Sequence, residues 1–101
     1  MSNLLQIKTG ILKLLGDPSR YRILEVILES NGRLCVGDIA EKTNCTQSAI
    51  SHQLSKLESA RIIKPIRKGK QVCYVIEDNE TVELVIKIMK TLNNKRFYYN
   101  I

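Results

Sequence analysis

One short segment carries four polar side chains that suit close contact with another polar surface. They are Ser48, Ser51, His52 and Ser55. The apolar residues Ile50, Leu54 and Leu57 recur at the spacing of an amphipathic helix, which predicts that the polar side chains point away from the core. Because serine and glutamine both donate and accept hydrogen bonds, such a helix can contact base edges and phosphates. An ordinary solvent-exposed helix is the alternative interpretation.

Positive charge is concentrated in the segment that follows this helix. Between Lys56 and Lys70 there are six basic residues and one acid, a net charge of +5 in a chain whose formal net charge is +6. Because Lys68 and Lys70 flank a glycine at a predicted turn, we expect them to contact an anionic partner. For Arg61 and Lys64, a solvated strand edge is an equally good interpretation.

Three cysteines, Cys35, Cys45 and Cys73, are the remaining candidates for chemistry. Their odd number does not indicate a disulfide framework, and the sequence has no Cys-x-x-Cys pair. Cys73 falls in an alternating strand, where a buried free thiol behaves as a small apolar residue. Cys35 and Cys45 lie near predicted helix starts, where an exposed thiol is more reactive towards oxidants. A sensor of oxidants, sulfur species or arsenite is therefore a further hypothesis.

A second short helix is predicted just upstream of the polar one, from Val36 to Lys42. Thr43 to Thr46 joins the two helices, and Thr46 is a suitable N-cap for the second. Two short helices with a tight turn and a polar second helix make a helix-turn-helix motif over about residues 36–59.

A basic β-hairpin is predicted after this motif, over about residues 62–77. Its two β-branched segments meet at the turn Lys68-Gly69-Lys70. Because Pro65 lacks an N–H, the first strand must lie at a sheet edge or be only partly paired. A cationic hairpin tip beside a helix-turn-helix is a wing that reaches towards the phosphate backbone or the minor groove.

The two ends of the chain predict apolar helices, over about residues 3–15 and 79–94. Between them, a helix from Pro18 to Ser30 begins with Asp17 as its N-cap. The terminal helices are apolar on more than one face, so we expect them to build a two-fold dimer interface. The predicted fold is a winged helix-turn-helix, mainly α with a small β-hairpin, in the order helix, helix, helix, helix, strand, strand, helix.

The whole chain is suited to a single globular domain over residues 1–101. It has 101 residues, 44% of them hydrophobic, and no Trp, so aliphatic side chains must fill the core. The N-terminus lacks the apolar run of a signal peptide, and no stretch is long enough to cross a membrane. We therefore expect a cytoplasmic protein without a membrane partner.

Four segments, in order, resemble a known family. They are LGDPSRYRIL at 15–24, LCVGDIA at 34–40, QSAISHQLSKL at 47–57 and GKQVCY at 69–74. Over about residues 12–92 the chain resembles the ArsR/SmtB family of bacterial winged-helix repressors. The resemblance implies a homodimer that binds a double-stranded DNA operator with inverted symmetry and leaves it when an effector binds.

The resemblance also assigns DNA contacts, position by position. Gln47, Ser48, Ser51 and His52 would enter the major groove, and Lys68 and Lys70 would act at the wing tip. Dimer symmetry then requires two half-sites about one helical turn, or a multiple of it, apart.

The metal sites of the family are incomplete in this sequence. One family site uses a Cys-x-Cys pair at the start of the first motif helix, where this chain reads Cys35-Val36-Gly37. The other lies on the last helix, where the corresponding residues are Asp78, Glu80, Thr91 and Asn94. Because a soft-metal site needs three or four ligands, Cys35 and Asp78 are isolated remnants. We expect neither a metal nor a cofactor.

These features favour a DNA-binding transcription regulator, with a thiol-based or soft-metalloid sensor that uses Cys35 and Cys45 as an alternative form of it. A winged-helix protein-interaction module is a competing class, but it does not need the polar helix face or the charged wing. An enzyme is disfavoured, because His52 has no Asp or Ser at a catalytic spacing and no phosphate-binding loop occurs.

Overall fold

The structure is a computed structural model that describes residues 3–100, without the side chains of residues 97, 99 and 100. Its elements in chain order are α1 (Asn3–Leu15), α2 (Pro18–Glu29), β1 (Arg33–Cys35), α3 (Val36–Thr43), α4 (Gln47–Ser59), β2 (Ile63–Lys68), β3 (Gln71–Ile76), α5 (Glu80–Leu92) and a final 3-10 helix (Lys95–Asn100). The predicted winged helix-turn-helix with a β-hairpin is confirmed. The domain predicted over 1–101 extends beyond the described residues at both ends.

Local capping signals fix where α2 begins and ends. The Asp17 carboxylate accepts a hydrogen bond from the Arg20 amide at 2.9 Å, and Pro18 occupies the first turn, where a missing N–H has no intrahelical partner to lose. After Ser30, the left-handed backbone at Asn31 and Gly32, with φ of 61° and 76°, turns the chain into β1.

A short turn joins α3 to α4 in the helix-turn-helix. Asn44 adopts the left-handed conformation that ends α3, and Thr46 accepts a hydrogen bond from the Ala49 amide at 3.2 Å, as its predicted N-cap role requires. Because α3 continues to Thr43, one residue beyond the predicted Lys42, the turn is shorter than the sequence indicated.

The wing belongs to a three-stranded antiparallel sheet in the order β1-β3-β2. The predicted hairpin corresponds to β2 and β3, and the short strand β1 pairs with β3 as a third strand. The prediction that Pro65 lies on an edge strand is confirmed, since β2 is paired on one side only. Gly69, with φ of 62°, closes the turn between Lys68 and Gln71, which are cross-strand partners.

An aliphatic core holds the helices and the sheet together. Its most buried side chains come from α2, α3, α4, the α4–β2 connection, the start of β2 and α5. They are Ile23, Leu24, Ile27, Ile39, Ile50, Leu54, Leu57, Ile62, Ile63 and Val85. The inward stripe of α4 is thus fully buried, which leaves the opposite side of α4 in solvent.

The terminal helices expose much of their apolar surface. No residue of α1 is buried, and Leu4 and Leu12 are 58% and 64% exposed. On α5, Leu84 is 45% exposed, although Val85 packs in the core. In the final 3-10 helix, the Tyr98 hydroxyl donates to the Leu92 carbonyl. Among the described helices, none is long and apolar enough to cross a membrane.

Candidate nucleic-acid interface

An open cleft of about 520 Å³ lies between α3, α4 and the wing. Gln47 and Ser51 enter it from α4, and Lys70 enters it from the turn of the wing. Asp38 of α3 and Tyr74 of β3 also line it. The cleft therefore joins the polar side of the second motif helix and the cationic hairpin tip in one concave surface.

All six predicted contact residues are exposed. Gln47, Ser51 and Lys70 share the cleft, whereas the other three lie outside its lining: Ser48, His52 and Lys68. The Ser48 hydroxyl lies 3.3 Å from the Thr46 hydroxyl. Within the described part of the chain, the side chains of Gln47, Ser51 and His52 form no hydrogen bond, so their donors and acceptors are available to a partner.

The wing cations form no ion pair within residues 3–100. The ion pairs found among residues 3–100 join Arg22 to Glu25 and Glu29 on α2, away from the hairpin. Arg67, Lys68 and Lys70 are exposed and unpaired within the same range. Their positive potential is therefore directed at solvent or at an anionic partner.

Tyr74 supplies a neutral phenol to the wall of the cleft. Burial, and secondly the negative charge of Glu58, raise the pKa of Tyr74 above its ordinary value. Because both effects disfavour the phenolate, Tyr74 keeps its proton at neutral pH and adds no negative charge to the surface.

Gln53, which was not predicted to have a role, bonds α4 to the start of α2. Gln53 lies on the inward side of α4, three residues after Ile50 and four before Leu57, and its amide bonds to Asp17 and Arg20 of the α2 start. A polar residue at an inward helical position needs a partner when buried, and this signal would have identified Gln53.

The interpretation of Cys73 as a free thiol is wrong, and one disulfide is present although the odd number of cysteines did not indicate a disulfide framework. Cys35 and Cys73 are directly opposite one another in the β1–β3 pairing and are joined by a disulfide. Opposed residues of antiparallel strands project their side chains to the same face, which brings the two sulfurs together. Cys73 is buried as predicted, at 1% exposure, but it is not a free thiol.

Cys35 and Cys45, the two candidate thiols of the sensor hypothesis, are not bonded to each other. Cys45 remains a free, half-buried thiol that packs against the core, with its sulfur 3.5 Å from the Thr43 carbonyl oxygen. Cys35 instead is the residue that precedes the first turn of α3, and it borders the cleft. The disulfide therefore joins the start of α3 to the wing, whereas the free thiol lies in the turn between α3 and α4.

Asp78 and Cys35 stand at the metal-site positions of the family. Asp78 is exposed after β3, and Cys35 is occupied by its bond to Cys73. In the part of the chain that the structure describes, no three His, Cys, Asp or Glu residues come together as a metal would require.

The chain is similar in sequence to known bacterial transcription regulators. Residues 17–64 match the family described as "Bacterial regulatory protein, arsR family". The chain is 40% identical over 70 residues to a transcriptional repressor SmtB homolog of Synechocystis sp., covering 69% of this chain and 52% of that protein. It is 38% identical over 73 residues to the transcriptional repressor SdpR of Bacillus subtilis, covering 72% of this chain and 77% of SdpR.

A solved structure with a similar fold is that of the AntR antimony-specific transcriptional repressor. It has a TM-score of 0.78 and 26% sequence identity, and the alignment covers 95% of this chain and 86% of AntR. The chain spans about half the length of the Synechocystis protein but most of SdpR and AntR.

The matched residues include the whole helix-turn-helix, and the matched structure extends over the wing and the terminal helices. The expected regulator, rather than an enzyme, is confirmed by these matches. The chain belongs to the ArsR family of bacterial regulatory proteins and is a DNA-binding transcriptional regulator with a winged helix-turn-helix fold.

Proposed function

We propose that this chain is a cytoplasmic repressor that binds an operator of inverted symmetry as a homodimer and leaves it when an effector acts. One observation carries the proposal: Gln47, Ser51 and Lys70 line a single concave surface, although they come from a helix and a hairpin. A duplex that meets this surface contacts polar groups able to read base edges and a cation able to bind phosphate at the same time.

In this proposal α4 is the reading helix. Its exposed side fits a major groove about 12 Å wide, where Gln47, Ser48, Ser51 and His52 reach base edges. Lys68 and Lys70 contact the phosphate backbone beside the groove, which gives affinity without sequence preference. A protein-interaction module would not require unpaired cations on the wing beside unbonded polar side chains on α4.

The homodimer follows from the apolar surface of the terminal helices. Leu4, Ile7 and Leu12 of α1 are 58%, 59% and 64% exposed, and Leu84 of α5 is 45% exposed. A second copy related by a two-fold axis would cover these faces and place two reading helices on one side. Sedimentation equilibrium should show a dimer at micromolar concentration, and a monomer there would contradict this part of the proposal.

The Lys68→Ala variant tests the phosphate contacts. We expect weaker binding to every duplex alike, because alanine cannot neutralise a phosphate and release its counterion. The slope of log K against log salt should therefore flatten by about 0.9 for each phosphate that the variant leaves without a cation. The measurement is a salt titration of affinity on operator and on random DNA.

Lys87→Ala is the matched control, since Lys87 lies on α5 and α5 contributes nothing to the cleft. An unchanged slope in Lys68→Ala would remove Lys68 from the interface.

The His52→Ala variant tests base reading. We expect it to lose discrimination at particular base pairs, by about 1–3 kcal/mol for a good contact, while binding to random DNA stays nearly constant. Ser48→Ala should behave in the same way at other positions. Affinities for the operator and for a set of single base-pair variants provide the measurement. Equal losses on operator and random DNA would exclude His52 from base reading.

A second candidate function is thiol-based sensing by the same regulator, and the Cys35–Cys73 disulfide favours it. In a reducing cytoplasm a protein disulfide is usually transient and serves catalysis or sensing. A hydroperoxide would oxidise the two thiols: one sulfur–sulfur bond forms, the O–O bond breaks, and an alcohol and water carry away both protons. The bond ties the start of α3 to the wing, next to the surface that would meet DNA.

Oxidation should change the affinity for the operator by a factor of about 5 to 150, the usual range for coupling between two sites. The reason is that the disulfide restricts the angle between the helix-turn-helix and the wing. Affinity is measured before and after treatment with hydrogen peroxide or diamide, and again after dithiothreitol. Cys73→Ser should abolish the response, and Cys45→Ser should retain it. Unchanged affinity of the oxidised wild-type protein would end the redox hypothesis, and arsenite added to reduced protein tests a metalloid effector.

A further inference from the structure

Arg20 is the one charged side chain that is buried among the residues whose burial the structure describes, at 9% exposure. Arg20 lies on α2, and its guanidinium joins this helix to two others. One nitrogen, Nη1, donates to the Leu14 carbonyl at 2.8 Å and to the Lys13 carbonyl at 3.4 Å, at the end of α1. A second nitrogen, Nε, donates to the Oε1 atom of Gln53 on α4 at 3.1 Å. Arg20 therefore bonds the last turn of α1 to the middle of α4.

Gln53 completes a closed ring of hydrogen bonds. Its Nε2 atom donates to Oδ2 of Asp17 at 2.9 Å, and the same carboxylate oxygen accepts from the Arg20 amide at 2.9 Å. Both polar atoms of the Gln53 amide are thus engaged. Because a carboxamide is planar, contacts at both its oxygen and its nitrogen fix the direction of the side chain as well as its distance.

The other inward contacts of α4 do not have this directional character. Ile50, Leu54 and Leu57 are buried by apolar packing, and such packing is non-directional. Rotation of α4 about its axis moves all its side chains together, since successive residues are about 100° apart. A rotation that breaks the Gln53 contacts therefore also turns His52 and Ser51 away from their positions.

We propose that Gln53 is a positioning residue that determines the DNA specificity of this protein. Its two hydrogen bonds, to Asp17 and Arg20, fix the rotation of α4 about its axis and therefore the orientation of the base-reading side chains. This inference rests on the proposed function of α4 as the reading helix. Gln53 itself touches no DNA, since it is half-buried and faces α2. Replacing Gln53 should release the rotation of α4 about its axis, so that the base-reading side chains lose their fixed orientation. The phosphate contacts of the wing should stay in place.

The test replaces Gln53 by methionine, which keeps length and helix propensity but cannot form either hydrogen bond. The probes are a duplex that the wild-type protein selects from a randomised pool and a scrambled duplex of equal length and composition. We expect Gln53→Met to bind the selected duplex about tenfold more weakly and the scrambled one less than twofold more weakly, with the salt slope unchanged. All binding is measured well below the midpoint of thermal unfolding of each variant.

Asn79→Ala is the matched control. The side-chain amide of Asn79 also forms two hydrogen bonds: its oxygen accepts from the Val82 N–H and its nitrogen donates to the Arg61 carbonyl, each at 2.9 Å. Asn79 caps α5, and neither of these hydrogen bonds involves α4. It should lower stability without changing the ratio of the two affinities. A similar fall in discrimination in Asn79→Ala would show that general destabilisation is the cause and would overturn the inference.

Arg20→Lys provides a second route if Gln53→Met folds poorly. Lysine keeps the charge but cannot reproduce the planar fork that reaches Gln53 and the end of α1 together, so discrimination should fall again. If the wild-type protein selects no duplex from the pool, the proposed function itself fails. If it selects one and both variants discriminate as well as wild type, the positioning role of Gln53 is refuted.

Discussion

One stripe of α4 is completely buried, and the exposed surface of the domain depends on that burial. Ile50, Leu54 and Leu57 are at most 1% exposed, and each such side chain contributes about 1.5–3 kcal/mol when it leaves water. Because a helix that buries one face presents the other to solvent, the core decides which side chains of α4 meet a partner. The binding surface is therefore a direct result of core packing, and α4 cannot bury a different face without exposing this apolar stripe.

The elements that the sequence predicted correctly are those whose ends rest on contacts between near neighbours. Asp17 bonds the amide three residues on, Thr46 does the same, and Asn31-Gly32 supplies a left-handed turn. Such signals, together with a regular apolar spacing, define a helix without knowledge of the rest of the chain. The hairpin was predictable for the same reason, since its turn at Gly69 separates two β-branched segments.

The features that the sequence did not reveal depend on pairs far apart in the chain. The Cys35–Cys73 bond spans 38 residues and the Arg20–Gln53 bond 33. Strand β1 has three residues, too few to show alternation, so the register that opposes the two cysteines could not be inferred. For the candidate interface, residue types were predictable from α4 and the wing, whereas the shared cleft of Gln47, Ser51 and Lys70 required their relative placement.

The unpaired edge of β2 has a consequence for how copies of this protein meet. An open strand edge is a template on which a strand of another molecule can add, and it leads to aggregation when it is flat and apolar. Here Pro65 removes one of the amide donors, and Lys64 and Arg67 place like charges along the same strand. Two molecules brought close together would repel along these edges, so the sheet is protected from adding a fourth strand from a neighbouring molecule.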